Sequence, residues 1–299
     1  MNTEKMYLKN GRLNVEIALP GMYYKGSRFD WNGFITQVTL DGKHTFCAPE
    51  SLAEGVGTGG CGFCGEFGIQ EPVGYDEAPV GGRFPKIGVG LITKPDNTEY
   101  DFFRKYEFTP FKAAITRSDN KVEFSIDPVD CNGYSARYKK RISIADNFMT
   151  IEYTLENTGE KTIHTTEYCH NFISIDNEET GSSYTLKFPY RPVMDRSPQA
   201  IGFKNDNELT WKDEGWDEAF YCIISGFNND KSHWWELFNS KTGVGIKETD
   251  DFRPTRVALW GMRHVISPEA FIEINIEPGA EQKWSRKYEF FKRVNGVSF

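Results

Sequence analysis

Several features are scarce in this chain, and each scarcity closes off a class of function. No stretch approaches the roughly 18 uninterrupted apolar residues of a membrane span, and the opening MNTEKMYLKN lacks the apolar core of a secretory signal. The expectation is a cytoplasmic protein with no membrane partner. Six cysteines in 299 residues (Cys47, Cys61, Cys64, Cys131, Cys169 and Cys222) are too sparse for a disulfide framework and suit a reducing compartment. Cys61 and Cys64 form one C-x-x-C, yet no second pair or nearby His completes a tetrahedral zinc site, and no βαβ pattern surrounds it as in a thioredoxin motif. Basic runs are also missing: 35 Lys and Arg are scattered among 43 Asp and Glu, for a net charge of −8, so the chain carries no electrostatic footprint for nucleic acid. Helical periodicity is confined to short candidates at 49–54 and 233–238, neither long enough to cover a parallel sheet.

What is present is period-2 alternation. Leu13, Val15, Ile17 and Leu19 share one face, as do Val122, Phe124 and Ile126, then Tyr134, Ala136 and Tyr138, then Ile151, Tyr153 and Leu155, and finally Ile272, Ile274 and Ile276 before Pro278-Gly279. Hydrophobic residues at 38% and aromatics at 15% supply a substantial core. Large sandwiches reach this length as one unit, so the chain is expected to form a single domain over 1–299: all-β, with two large antiparallel sheets packed face to face. The stretch 47–86 contains GVGTGGCGFCGEFG, but no Gly-Lys-Ser/Thr follows and no helix is signalled after it, which excludes a phosphate-cradling loop. It is expected to be a long, turn-rich connection across one face of the sandwich.

The segment YTLENTGEKTIHTTEYCHNFISI resembles the central part of the aldose 1-epimerase (galactose mutarotase) superfamily, in which a strand carrying a His and then an aromatic follows an Asn-rich turn. Here these are His170 and Phe172. Gly215-Trp216-Asp217-Glu218-Ala219-Phe220 is similar to the family's Gly-aromatic-Asp-His-x-Phe segment, with Glu218 in place of the His, and VISPEAFIEINIEPGAEQKWSRKYEF is similar to its closing pattern, with Glu269 at the cleft carboxylate. The family's first active-site His has no counterpart; the best positional match, GGRFPKIGVG, presents Lys86. The resemblance therefore implies a divergent branch on the galactose mutarotase-like supersandwich.

That resemblance implies a cofactor-free isomerase that opens and recloses a sugar ring. One acid and one base suffice: His170 as the acid supplying a proton to the ring oxygen, and Glu269 as the base accepting one from the C1 hydroxyl. Asp217 would hold sugar hydroxyls, with Arg28, Lys86 and Trp216 as further sugar contacts. Arg28 equally suits a salt bridge to Asp30 or another strand carboxylate, and Trp31 and Trp260 are other candidate platforms for a pyranose. His264, near Glu269 in sequence, is a reserve acid. A phosphorylated sugar would require Arg28, Arg83, Lys86 and Arg263 to converge. The expected partner is a small-molecule sugar. The alternative is a non-catalytic carbohydrate-binding or sugar-sensing protein on the same fold; a lyase or glycoside-processing enzyme would normally carry a further domain. Because no metal, nucleotide or flavin is required, anomerisation is expected to survive a chelator and a reductant; loss of sugar turnover on chelation would contradict the scheme.

Overall fold

Alternation builds strands with two distinct faces, and nearly the whole chain is spent on them. The structure, a computed structural model, describes residues 4–227, 232–294 and 297–298. Among these there is no α-helix, only a 3₁₀ turn at Ile175–Asn177. One sheet of ten strands runs in the order Lys5–Lys9, Leu13–Ala18, Phe34–Leu40, Gly62–Phe67, Ile163–Phe172, Val265–Ile276, Arg256–Met262, Phe220–Ser225 and Val193–Met194, with His44–Thr45 beside Phe34–Leu40. A second sheet of eleven has Val244–Asp250, Glu281–Val294, Phe148–Asn157 and Ala136–Ala145 at its centre. Pairing across these centres is antiparallel. A three-stranded sheet, Arg83–Lys86, Gly90–Thr93 and Phe108–Pro110, stands apart. The expected two-sheet sandwich of the galactose mutarotase-like type is the fold observed.

The apolar sets read from the sequence fill the space between the sheets. Leu13, Val15, Ile17, Val122, Ile151, Leu155 and Ile274 are each at most 1% exposed and belong to one cluster. Truncating such a side chain to Ala costs about 2–5 kcal/mol, so this cluster carries the sandwich.

Two local expectations are corrected. The segment 47–86 is no mere connection: its Gly62–Phe67 lies between Phe34–Leu40 and Ile163–Phe172 at the centre of the ten-stranded sheet, buried on both faces. A strand covered on both sides shows no alternation, and here Gly disguises it further. At Gly62, φ is +58° and a Cβ would lie 2.1 Å from the Ile35 carbonyl oxygen, so only glycine permits this approach. The segment 233–238 carries the strand Trp234–Asn239, with Trp235 and Leu237 fully buried, and 49–54 forms no helix.

The inter-sheet core also holds charge. Arg286, fully buried, pairs with Glu167 at 2.8 Å and donates to the Ala270 carbonyl at 3.1 Å. Asn171 donates to Glu248 at 3.1 Å and accepts from the Tyr288 hydroxyl at 3.0 Å. His233 Nδ1 lies 2.7 Å from Asp250. One guanidinium cannot neutralise three carboxylates. Burial, reinforced by Asp250, raises Glu248 to about 8, and burial raises Asp250 to about 7.

A carboxyl that holds its proton to higher pH when folded stabilises the fold fully below its unfolded pKa and loses that contribution as pH rises through the folded value. For Glu248 the window runs from its ordinary value of 4.5 to about 8. Glu248→Gln, which keeps the neutral form, should therefore gain on the wild type between about pH 5 and about pH 9, by about 3 °C or more in Tm. Differential scanning calorimetry checks this; a Tm difference independent of pH would show that Glu248 is charged in the fold.

Candidate functional site

Antiparallel register sorts the outer face of the ten-stranded sheet into rows of directly opposed side chains. Arg256 faces Phe271, Phe271 faces Tyr168, and Tyr168 faces Glu66. In the next row Ile223 faces Ala258, Ala258 faces Glu269, and His170 faces Cys64. In the third, Tyr221 faces Trp260, Trp260 faces Ser267, and Phe172 faces Gly62. His170 and Glu269, 99 positions apart in sequence, are thereby brought together: Nε2 of His170 lies 3.3 Å from Oε1 of Glu269.

Ser267 bridges the pair. Its Oγ lies 2.9 Å from Nδ1 of His170 and donates to Oε1 of Glu269 at 3.0 Å, while accepting the Asn171 backbone N–H at 2.9 Å. With its one hydroxyl hydrogen given to Glu269, Ser267 can only accept from Nδ1, which leaves Nε2 unprotonated and facing the carboxyl. The imidazole stacks on Phe172 with centroids 3.8 Å apart and meets Trp260 edge-on at 5.2 Å. His170 and Glu269 are only 4% and 3% exposed.

This burial reverses the resting charges that the sequence suggests. Desolvation, with Arg28 adding to it, holds His170 well below its ordinary value, and desolvation raises Glu269 to about 8. Both shifts favour the neutral pair, an imidazole beside a carboxylic acid, instead of an imidazolium beside a carboxylate.

Arg28 and Lys86 also lie on this face, but each is already engaged. Arg28 donates from Nε to Glu66 at 2.8 Å, from Nη1 to Thr58 at 3.0 Å and from Nη2 to Tyr168 at 3.0 Å. It pairs with Glu66 and, at 4.0 Å, with Glu50; Asp30 instead pairs with Lys140 at 3.3 Å. Lys86 Nζ pairs with Glu66 at 3.5 Å and donates to the Gly68 carbonyl at 3.0 Å; burial pulls its pKa down to about 8. Tyr168 donates to Glu66 at 2.7 Å. Glu66 is thus the hub that fixes both cations.

Trp216 and Asp217 lie elsewhere, on a loop before Phe220–Ser225. Trp216 is buried against Phe220, with Nε1 donating to the Lys212 carbonyl at 2.8 Å, whereas Asp217 is exposed. Both line an open concavity of about 760 Å³ whose wall includes Tyr221, the residue opposite Trp260. The structure does not bring Asp217 into contact with His170 or Glu269. A second concavity, of about 650 Å³, is lined by Glu71, Asp76, Glu77, Glu99 and His164. Arg263 is engaged with Glu179 and the Asp213 carbonyl, and Arg83 is exposed at the start of its strand, so neither joins Arg28 and Lys86 at Glu66 to form a phosphate cradle. His264 points to the Pro49 carbonyl at 3.0 Å.

Sequence reasoning missed Ser267, Tyr168, Glu66 and Arg256. Ser267 and Tyr168 sit two residues from Glu269 and His170, so the strand period alone placed them on the same face. Glu66 gave no such signal inside its Gly-rich stretch.

No family profile matches the chain, and no curated protein matches it in sequence. Solved structures do match in fold, and they define it as galactose mutarotase-like. A GalM/aldose epimerase homologue from C. elegans superposes with a TM-score of 0.60 at 12% identity, covering 98% of this chain and 100% of its own. A galactose mutarotase-like protein from Clostridium acetobutylicum gives 0.59 at 9% identity, covering 97% and 96%. A galactose 1-epimerase from Lactobacillus acidophilus gives 0.54 at 12% identity, covering 97% and 95%.

The neutral-pair geometry is open to direct measurement. In ¹⁵N-edited NMR the His170 ring should remain neutral from about pH 8 to about pH 5.5, with the hydrogen on Nδ1, whereas an unperturbed His titrates near 6.5. A His170 titration centred near 6.5 would reject the buried pair.

Proposed function

We propose that this protein is an aldose 1-epimerase-like isomerase that interconverts the anomers of a hexose or hexose derivative by acid/base ring opening at His170 and Glu269. The observation that carries the reading is the pair itself: an imidazole nitrogen 3.3 Å from a carboxyl oxygen, both oriented by Ser267. The fold shared with aldose epimerase and mutarotase structures supports it at the level of architecture.

In this scheme the Glu269 carboxyl donates its proton to the ring oxygen while His170 accepts the proton of the C1 hydroxyl. The bond between C1 and the ring oxygen breaks and the C1 carbonyl forms. After rotation about the bond from C1 to C2, the two proton transfers run backwards on the other face of the carbonyl. The pair starts and ends with one proton, so the cycle needs no cofactor. Each role contributes about 10²–10⁴-fold. Trp260 meets His170 edge-on and its cross-strand neighbour Tyr221 lines the open concavity, where Trp216 and Asp217 would contact the sugar.

The second reading, a carbohydrate-binding protein without catalysis, is favoured by one observation: both members of the pair are almost wholly buried, which suits a structural contact as well as a reactive one.

Polarimetry on a panel of hexoses separates the two. Glu269→Gln should lower kcat by about 10²-fold or more while affinity changes little. Asp217→Ala should weaken sugar binding by about tenfold with a smaller effect on the chemical step. Wild-type kcat should fall above about pH 8, where Glu269 loses its proton. A wild type that binds a sugar yet leaves its anomerisation at the buffer rate would establish the binding protein instead.

A further inference from the structure

The outer face of the ten-stranded sheet carries three cations near the acid/base pair, and they differ in what they touch. Arg28 and Lys86 share Glu66, Arg28 also lies 4.0 Å from Glu50, and all three guanidinium nitrogens of Arg28 are already donating. Arg256, among the described residues, has neither an ion pair nor a hydrogen bond, and its Nε is buried without an acceptor. A buried N–H left unpaired costs about 1–3 kcal/mol, more when charged, so this arrangement makes sense if an acceptor arrives from outside.

The position of Arg256 fits that arrival. Its guanidinium lies over the Phe271 ring at 3.7 Å, and Phe271 stacks on Tyr168 at 4.3 Å, which fixes the cation on a rigid aromatic support. Ala258, two residues along the same strand face, stands opposite Glu269. Arg256 is therefore a diagonal cross-strand neighbour of the proposed acid, at a typical spacing of about 7–8 Å between backbones, or roughly the span of a pyranose. Tyr221, which lines the 760 Å³ concavity, feels both groups: burial raises its phenol, Arg256 lowers it and Glu269 raises it.

We propose that Arg256 receives an acidic group of the substrate, so that the sugar handled at His170 and Glu269 is an anionic one, a hexuronate or a hexose phosphate, in preference to a neutral hexose. The proposal rests on the isomerase reading only for the place of C1; the anion site itself stands on Arg256. Carboxylate and phosphate share the chemistry that recognises them, two oxygens accepting from one guanidinium fork. A lone guanidinium balances a single negative charge, whereas a phosphate monoester carries about −1.5 to −2 at neutral pH, so the hexuronate should bind the tighter of the two.

Isothermal titration at low salt with glucose, glucuronate and glucose 6-phosphate, and with the galactose counterparts, tests this. One acidic sugar should bind wild type at least about tenfold more tightly than its neutral hexose. Arg256→Gln should abolish that preference and leave neutral-hexose affinity unchanged, and Arg256→Lys should restore part of it. Equal or tighter binding of the neutral hexose by wild type overturns the proposal, as does an acid preference that survives Arg256→Gln. If the Gln variant unfolds, the wild-type ratio and the Lys variant decide. Anomeric exchange of each bound sugar, followed by NMR, is read separately: an acidic sugar bound through Arg256 but not anomerised refutes the isomerase and keeps the anion site, whereas a neutral hexose that is turned over and bound at least as tightly as its acidic counterpart does the reverse.

Discussion

The strand Ile163–Phe172 is buried on both faces and carries polar side chains on each, and the rest of the structure depends on how that is accommodated. Glu167, Cys169 and Asn171 point between the sheets, while Tyr168, His170 and Phe172 point to the outer face. A register slip of one residue would exchange the two sets, placing Glu167 and Asn171 against an aromatic surface and His170 inside the apolar core. Pairing with Gly62–Phe67 on one side and Val265–Ile276 on the other prevents it. Asn171 ties the two faces together. Its side chain bonds Glu248, Tyr288 and the Pro268 carbonyl between the sheets, and its backbone N–H holds Ser267 on the outer face. The orientation of His170 and Glu269 is thereby anchored in the sandwich core.

Burying a carboxylate is expensive unless it is paired, and the partner available decides its charge. Glu66 has Arg28 and Lys86, and Glu167 has Arg286. Glu269 has only a serine and a neutral histidine within hydrogen-bonding reach, so its proton stays on. Of these three carboxyls on adjacent strands, Glu269 alone has no Lys or Arg within hydrogen-bonding reach, which supplies a buried acid beside ion-paired scaffolding. Arg256 is the converse, a cation for which the fold supplies an aromatic support but no counter-charge.

Structures at 9–12% identity share this architecture over almost the full chain. What they can share at that distance is the pattern of inward and outward positions, since a sandwich core tolerates exchange of one apolar side chain for another of similar volume. Chemistry does not follow from the pattern alone, because it depends on particular side chains and their partners.

The sequence by itself determined the all-β class, the inward sets such as Leu13, Val15, Ile17 and Ile272, Ile274, Ile276, and the candidacy of His170 and Glu269, because a period of two is a local property and the motif order is written in the chain. It did not determine the central strand Gly62–Phe67, where burial on both faces erases the alternation and glycine hides the strand. It also offered 233–238 as a short helical candidate, although Trp235 and Leu237 alternate into the core as a strand. Tertiary structure alone decided that Glu66 takes up Arg28 and Lys86, that Ser267 sits between His170 and Glu269, and that Arg256 is left without a partner. These are contacts between residues tens to hundreds of positions apart, and both the identity of a charge's partner and the degree of its desolvation exist only once the sheets have paired and closed over it.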